Sequence, residues 1–178
     1  MKKNILICAL SILLVAAVLL GCSLGLRSVA EKNAEKELLC TMKKLLPGSE
    51  SFNEEAYTGE DANIRKVYKA ENGFVIETCT RGYADDIVML VGVSSEGKVT
   101  GVMVREIHET AGLGRTALVD YDFLVQFLKT EGDAEVGTNV DAISGATVTS
   151  KAVTRCVNSA VAYVTGADVD SGATSWGG

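Results

Sequence analysis

GFVIETCTRGYADDIVMLVGVSSEGKVTGVMVREI, residues 73–107, decides the fold. It contains three runs rich in β-branched and apolar residues, 73–80, 87–94 and 99–107, with a fourth, IRKVYKA (64–70), just before it. Asn72-Gly73 and Glu96-Gly97 fall between runs, and SSEGK (94–98) reads as a turn. Short strands with Gly-containing turns between them predict an antiparallel meander. The polar stretch 49–62 ahead of it reads as loop.

Outward from the meander the pattern becomes that of helices. Residues 28–46 carry Ala30, Ala34, Leu38, Met42 and Leu45 on one side, with Leu39 and Leu46 alongside, and Pro47-Gly48 ends the run. Residues 117–130 place Leu118, Phe123, Leu124 and Phe127 together, and 148–164 place Val153, Val157, Ala160, Val161 and Val164 together. Both read as amphipathic helices. The end, TGADVDSGATSWGG, is small, Gly-rich and acidic, and reads as a flexible tail. The fold class that follows is α+β, a small antiparallel sheet with packed helices, preceded by one N-terminal transmembrane helix. The expected divisions are 1–27 (cytoplasmic start and membrane helix), 28–48 (linker helix), 49–165 (domain) and 166–178 (tail).

The membrane helix rests on residues 4–26, 23 residues without a charge, where about 20 suffice to cross a bilayer. A signal peptide competes, although its apolar region is usually shorter, roughly 7–15 residues. A third reading takes LLGC (19–22) as a lipoprotein cleavage box with Cys22 lipidated. Length favours the retained single-pass anchor. Lys2 and Lys3 before the run place the N-terminus in the cytoplasm and the domain on the extracytoplasmic side of the cell membrane. Beyond Lys2, Lys3 and Arg27, 14 basic residues stand against 23 acidic ones, a net charge of −9. That charge argues against nucleic acid as a partner. Cys8 and Cys22 lie in the apolar run; Cys40, Cys79 and Cys156 show no metal-ligand spacing and read mainly as small buried apolar residues, with room for one disulfide.

One seven-residue pattern occurs twice. Asp-x-x-Ser-Gly-Ala-Thr runs from Asp141 to Thr147 and again from Asp168 to Thr174. The first copy opens directly into the 148–164 helix. A helix start leaves backbone N–H groups unpaired and carries partial positive charge. Gly145 and Ala146 allow close approach, and Ser144, Thr147, Thr149 and Ser150 supply hydroxyls. That combination suits a phosphate, although Ser and Thr at a helix start more often serve as caps.

DAISGATVTSKAV (141–153) resembles the attachment motif of the covalent FMN-binding domain family, which includes the G subunit of the Rnf ion-translocating electron-transport complex and the C subunit of the sodium-pumping NADH:quinone oxidoreductase. REIHETAGLGRTA (105–117) resembles the family's second loop, with Ala111 in place of proline, and residues 81–104 and 45–52 resemble segments before it. The resemblance implies FMN joined through its phosphate to Thr147, with Ser144, Gly145, Ala146, Thr149 and Ser150 around it. It also implies that Glu109, Thr110, Gly112, Leu113 and Gly114 lie against the isoalloxazine ring. It implies a separate Mg²⁺-dependent flavin transferase using FAD, other subunits of a membrane electron-transport complex as partners, and transfer between ferredoxin and NAD coupled to Na⁺ or H⁺ movement. Thr174, with no helix after it, is expected to be a chance duplicate or a minor acceptor.

Asp141 reads equally as a recognition residue for the transferase or as an acid favourable to the helix dipole. Tyr83 is expected in the core, with covering the flavin as the alternative; His108 and Trp176 are expected at the surface and in the tail. Two other functions stay open: a stand-alone extracellular flavinylated electron carrier, and a membrane-anchored binding domain without flavin, in which Thr147 merely caps a helix. An independent catalyst finds no support, since there is no GxSxG elbow and no metal cluster.

Overall fold

The computed structural model describes residues 29–107, 120–128 and 130–167, together with Val15 and Gly21. It separates into two compact units, Met1–Cys40 and Thr41–Gly178. The apolar run 4–26 lies outside the described residues except at Val15 and Gly21, and among the described residues no helix is long and apolar enough to cross a membrane. Residues 29–45 are helical (α1).

The meander forms as its β-rich runs and the turns between them predict. Strands β2 (Ile64–Lys69), β3 (Gly73–Arg81), β4 (Asp86–Ser94) and β5 (Val99–Ile107) pair antiparallel in sequence order. A fifth strand, β1 (Asn53–Glu55), joins the edge at β2 within the stretch read as loop. Its sequence, Asn-Glu-Glu, has no apolar alternation to announce it. It is an edge strand whose charges answer those of β2, Glu54 to Lys66 at 3.3 Å and Glu55 to Lys69 at 3.4 Å.

Helices cover the two faces of the sheet differently. The long helix α3 (Thr147–Thr165) lies on β3 and β4, and Val153, Cys156, Val157, Ala160 and Val161 enter one cluster with Ile76, Ile87, Met89, Val91 and Val93. Gly166 ends it in a left-handed conformation, φ 69°, its N–H donating to the Ala162 carbonyl. The other face is crossed by the last turn of α1. A Cβ on Gly92 would lie 2.4 Å from the Leu45 carbonyl oxygen, and one on Gly101 3.0 Å from a Leu45 methyl. These glycines face each other across β4 and β5, so they form a trough that seats Leu45, and Thr100 Oγ1 donates to the Leu45 carbonyl at 2.6 Å. Met42, Leu45 and Leu46 are thereby buried.

The helix expected over 117–130 is shorter. α2 spans Tyr121–Val125, starting where Asp120 caps it by accepting from the N–H groups of Asp122 and Phe123. From Gln126 on the bonds tighten to three-residue spacing, ending where Thr130 N–H reaches the Phe127 carbonyl. The Thr130 carbonyl then accepts from Val99 at the start of β5, which fixes the end of this segment on the sheet. Residues 117–119, Leu118 among them, and 129 lie outside the described residues.

Two expectations about side chains are corrected. Tyr83 is not in the core: it sits at the tip of the β3–β4 turn, 73% exposed. Cys40 is exposed, not buried; Cys79 and Cys156 are buried, and none of the three is joined in a disulfide. Cys156 faces the sheet beside Thr78, and the pleat turns the next residue, Cys79, to the opposite face.

Candidate functional site

The segment ahead of α3 is held in place by its own side chains. Asn139 accepts from the Glu135 N–H and donates to the Asp133 carbonyl, while Asn158 of α3 donates to the Ala134 carbonyl. The Asp141 N–H donates to the Gln126 side chain at 2.7 Å, tying the start of the Asp-Ala-Ile-Ser-Gly-Ala-Thr string to the end of α2. The string then turns sharply. Ala146 N–H donates to the Ile143 carbonyl, and Gly145 sits at φ 78° in the third position of that turn, where type II turns require a positive φ. Sequence-level reasoning valued Gly145 for approach by a ligand; the backbone here needs a glycine in any case.

Helix α3 begins at Thr147 with Ala146 as its N-cap, and no side chain caps it. The first helical bond runs from Ser150 N–H to the Ala146 carbonyl, so the N–H groups of Thr147, Val148 and Thr149 precede the ladder. The capping reading of Ser and Thr at this end is therefore not what the structure adopts. Ser150 is fully buried and its hydroxyl is used inside the turn, accepting from Ile143 N–H at 3.2 Å and donating to the Ala146 carbonyl at 3.0 Å. Thr149 is 1% exposed. The hydroxyls left at the surface are those of Ser144 and Thr147.

The electrostatics at this end favour an anion. No acidic residue lies in the first turn of α3. Asp141 stands six residues before the helix, exposed, too early to act on a dipole whose effect fades within the first turn. Lys151, exposed and four residues beyond Thr147, shares its helix face. The sequence reading passed over Lys151, although its i,i+4 spacing from Thr147 was visible. An uncapped helix start, a glycine turn, an exposed hydroxyl and a lysine one turn on can hold a phosphate group. Among the described residues no group of three or more His, Cys, Asp or Glu side chains could hold a metal ion. A threonine hydroxyl needs a base or metal to act as a nucleophile.

α3 runs antiparallel to β3, and this determines what shares its N-terminal end. The Tyr163 ring meets Phe74 near the start of β3 at 5.8 Å, and Cys156 stands beside Thr78 farther along. Thr147 is therefore at the end where β3 finishes, where the Gly82–Asp85 turn joins β3 to β4, and where β5 ends with Ile107 opposite Ile87. The chain leaves β5 toward residue 108 from this same end. Glu109, Thr110, Gly112, Leu113 and Gly114 lie outside the described residues, as do His108, the second copy from Asp168 to Thr174, and Trp176.

A groove of about 690 Å³ lies at the opposite end of α3, between Tyr57–Ala62 and Ser159, Ala162, Tyr163 and Gly166. Thr147 and Tyr163 are 16 residues apart on one helix, about 24 Å along its axis. The groove is separate from the Thr147 site.

The family model of the FMN-binding domain matches residues 82–162, from the β3–β4 turn through most of α3. The G subunit of the proton-translocating ferredoxin:NAD(+) oxidoreductase complex of Clostridium ljungdahlii is 35% identical, over 70% of this chain and 70% of its own length. The G subunit of the ion-translocating oxidoreductase complex of Methanosarcina acetivorans is 36% identical, over 69% of this chain and 72% of its own. The corresponding G subunit of the Na(+)-translocating ferredoxin:NAD(+) oxidoreductase complex of Acetobacterium woodii is 37% identical, over 50% of this chain and 47% of its own.

Proposed function

This chain belongs to the family of FMN-binding G subunits of ion-translocating oxidoreductase complexes, and from that premise we propose that it carries electrons on an FMN joined by a phosphoester to Thr147. The observation that carries the reading is local: an exposed Thr147 heads a helix with no side-chain cap, immediately after a turn that requires Gly145. The bound flavin would supply one- and two-electron redox chemistry. The chain supplies position and field. The free N–H groups at the start of α3 and the ammonium of Lys151 balance the phosphate. The Gly145 turn keeps the backbone out of the way, and Ser144 offers a second hydroxyl. In this reading Glu109, Thr110, Gly112, Leu113 and Gly114, entered from the same end of the sheet, supply contacts to the ring.

Two further parts of the proposal concern the setting. Residues 4–26 anchor the chain in the cell membrane with the domain on the extracytoplasmic side, where a covalent bond retains a cofactor that could not be replaced. The partners are the other subunits of an Rnf-type ferredoxin:NAD oxidoreductase complex, which carry out the ion movement, and a flavin transferase acts during maturation.

The test is peptide mass mapping after co-expression with a flavin transferase, for wild type, Thr147→Ala and Thr174→Ala. The expected result is a flavin adduct on the Thr147 peptide that is lost only in Thr147→Ala. An adduct on Thr174 that survives Thr147→Ala would move the site to the tail. Absence of any adduct in the wild type would leave Thr147 as an ordinary helix residue.

A further inference from the structure

We infer that Tyr83 covers the isoalloxazine ring of the FMN; the inference rests on the Thr147 reading and extends it to a residue on the sheet. Tyr83 is a large aromatic side chain, 73% exposed, at the tip of a four-residue turn. Its ring stands outside the hydrophobic core cluster of the domain. The turn itself is tightly fixed. Gly82 N–H donates to the Asp85 carbonyl at 2.9 Å, and the Arg81 guanidinium donates to the Ala84 carbonyl and pairs with Asp85 at 3.2 Å. An exposed ring on a braced turn keeps its position without being buried.

That position is level with Thr147. Cys156 and Thr78 stand side by side across the helix–sheet interface and serve as a common origin. Thr147 lies nine residues before Cys156 in the helix, about 14 Å along the axis. Tyr83 lies five residues beyond Thr78, at most about 17 Å along the strand direction. Because helix and strand are antiparallel, both displacements point the same way. What separates the two residues is chiefly the spacing of the layers, about 10 Å. A ribityl chain leaving a phosphate on Thr147 spans a gap of that size and brings the ring system to the end of the sheet, where Tyr83 stands. An aromatic ring packs there against a flat partner, offset or edge to face.

A phenol in van der Waals contact with a flavin returns the excited ring to its ground state by a brief electron transfer that leaves no net change, so the contact is read as lost fluorescence. The experiment uses the full chain, flavinylated by co-expression, with flavin content fixed by mass mapping, and compares Tyr83→Phe, Tyr83→Leu, Tyr83→Trp and Tyr121→Phe. Tyr121, 76% exposed on α2, is the comparison for an exposed tyrosine elsewhere. Emission per flavin is expected to rise several-fold in Tyr83→Phe and Tyr83→Leu, to stay low in Tyr83→Trp, and to be unchanged in Tyr121→Phe. Unchanged emission in both Tyr83→Phe and Tyr83→Leu overturns the inference while leaving flavinylation at Thr147 intact. A rise in Tyr121→Phe alone overturns it in favour of α2. No flavin on the wild-type chain removes the premise and the inference together.

Discussion

Gly145 shows how much one backbone angle decides. At φ 78° it holds a conformation that costs an L-residue with a Cβ about 1–2 kcal/mol. Gly145→Ala is expected to lower stability by about that amount in urea titrations and to reduce flavin loading by shifting the turn ahead of Thr147. Cys156 offers a second test at this scale. Burial pushes its thiol from an ordinary 9.0 up to about 12. Below pH 9 the thiol is neutral in folded and unfolded chains alike. Between about 9 and 12 only the unfolded chain releases the proton, so stability falls as pH rises through that window. The slope from this one group is at most about 1.4 kcal/mol per pH unit. Urea titrations from pH 8.5 to 10.5 are expected to show a shallower decline in Cys156→Ala than in the wild type; identical slopes would mean the thiol is not held neutral. Being exposed, Cys40 should be alkylated well before the buried Cys79 and Cys156 in a peptide-mapped reaction at neutral pH. The exposure of Tyr83 was not legible in the sequence. Its neighbours Gly82 and Asp85 mark a turn, but a turn tip and a core edge take the same aromatic residue.

At the level of elements, the clearest lesson is the Gly92–Gly101 pair. Glycine within a strand marks close approach, yet the partner was out of reach of sequence reasoning, because Leu45 lies more than 40 positions away in a helix assigned to the linker. Gly92→Ala forces a methyl against the Leu45 carbonyl, which is backbone and cannot swing aside. A loss of about 1–3 kcal/mol is expected, and a Tm unchanged from wild type would disprove the close seat of α1. Elsewhere the strands of the meander matched the expected runs to within a residue or two, because short runs of β-branched and apolar residues bounded by Gly-containing turns are a local signal that burial reinforces. β1 was missed because three polar residues carry no alternation, and pairing with β2 alone makes them a strand. α2 was overestimated because the apolar pattern of Phe123, Leu124 and Phe127 continues past the point where Thr130 must meet Val99.

For the molecule as a whole, the unit Thr41–Gly178 has its own core and includes the last turn of α1. A chain of residues 41–178 is expected to unfold cooperatively. A chain of residues 49–178, matching the boundary read from the sequence, loses Met42, Leu45 and Leu46, all 5% exposed or less. Each buried side chain of that size contributes about 1.5–3 kcal/mol, so the shorter chain is expected to melt well below the longer one or not to fold. Equal melting temperatures would show that the α1 turn is not part of the domain.

The sequence by itself determined the antiparallel meander, the long helix after the Ser-Gly-Ala-Thr string, the acidic character of the chain beyond residue 27 and the family to which it belongs. These depend on period, composition and short motifs, which are local. Only the tertiary structure decided which face each helix covers, that Ser150 turns inward while Thr147 stays outside, and that Tyr83 shares an end of the sheet with Thr147. Those facts depend on contacts between residues far apart in the chain, fixed when the helix closes antiparallel on β3 and the two glycines admit Leu45.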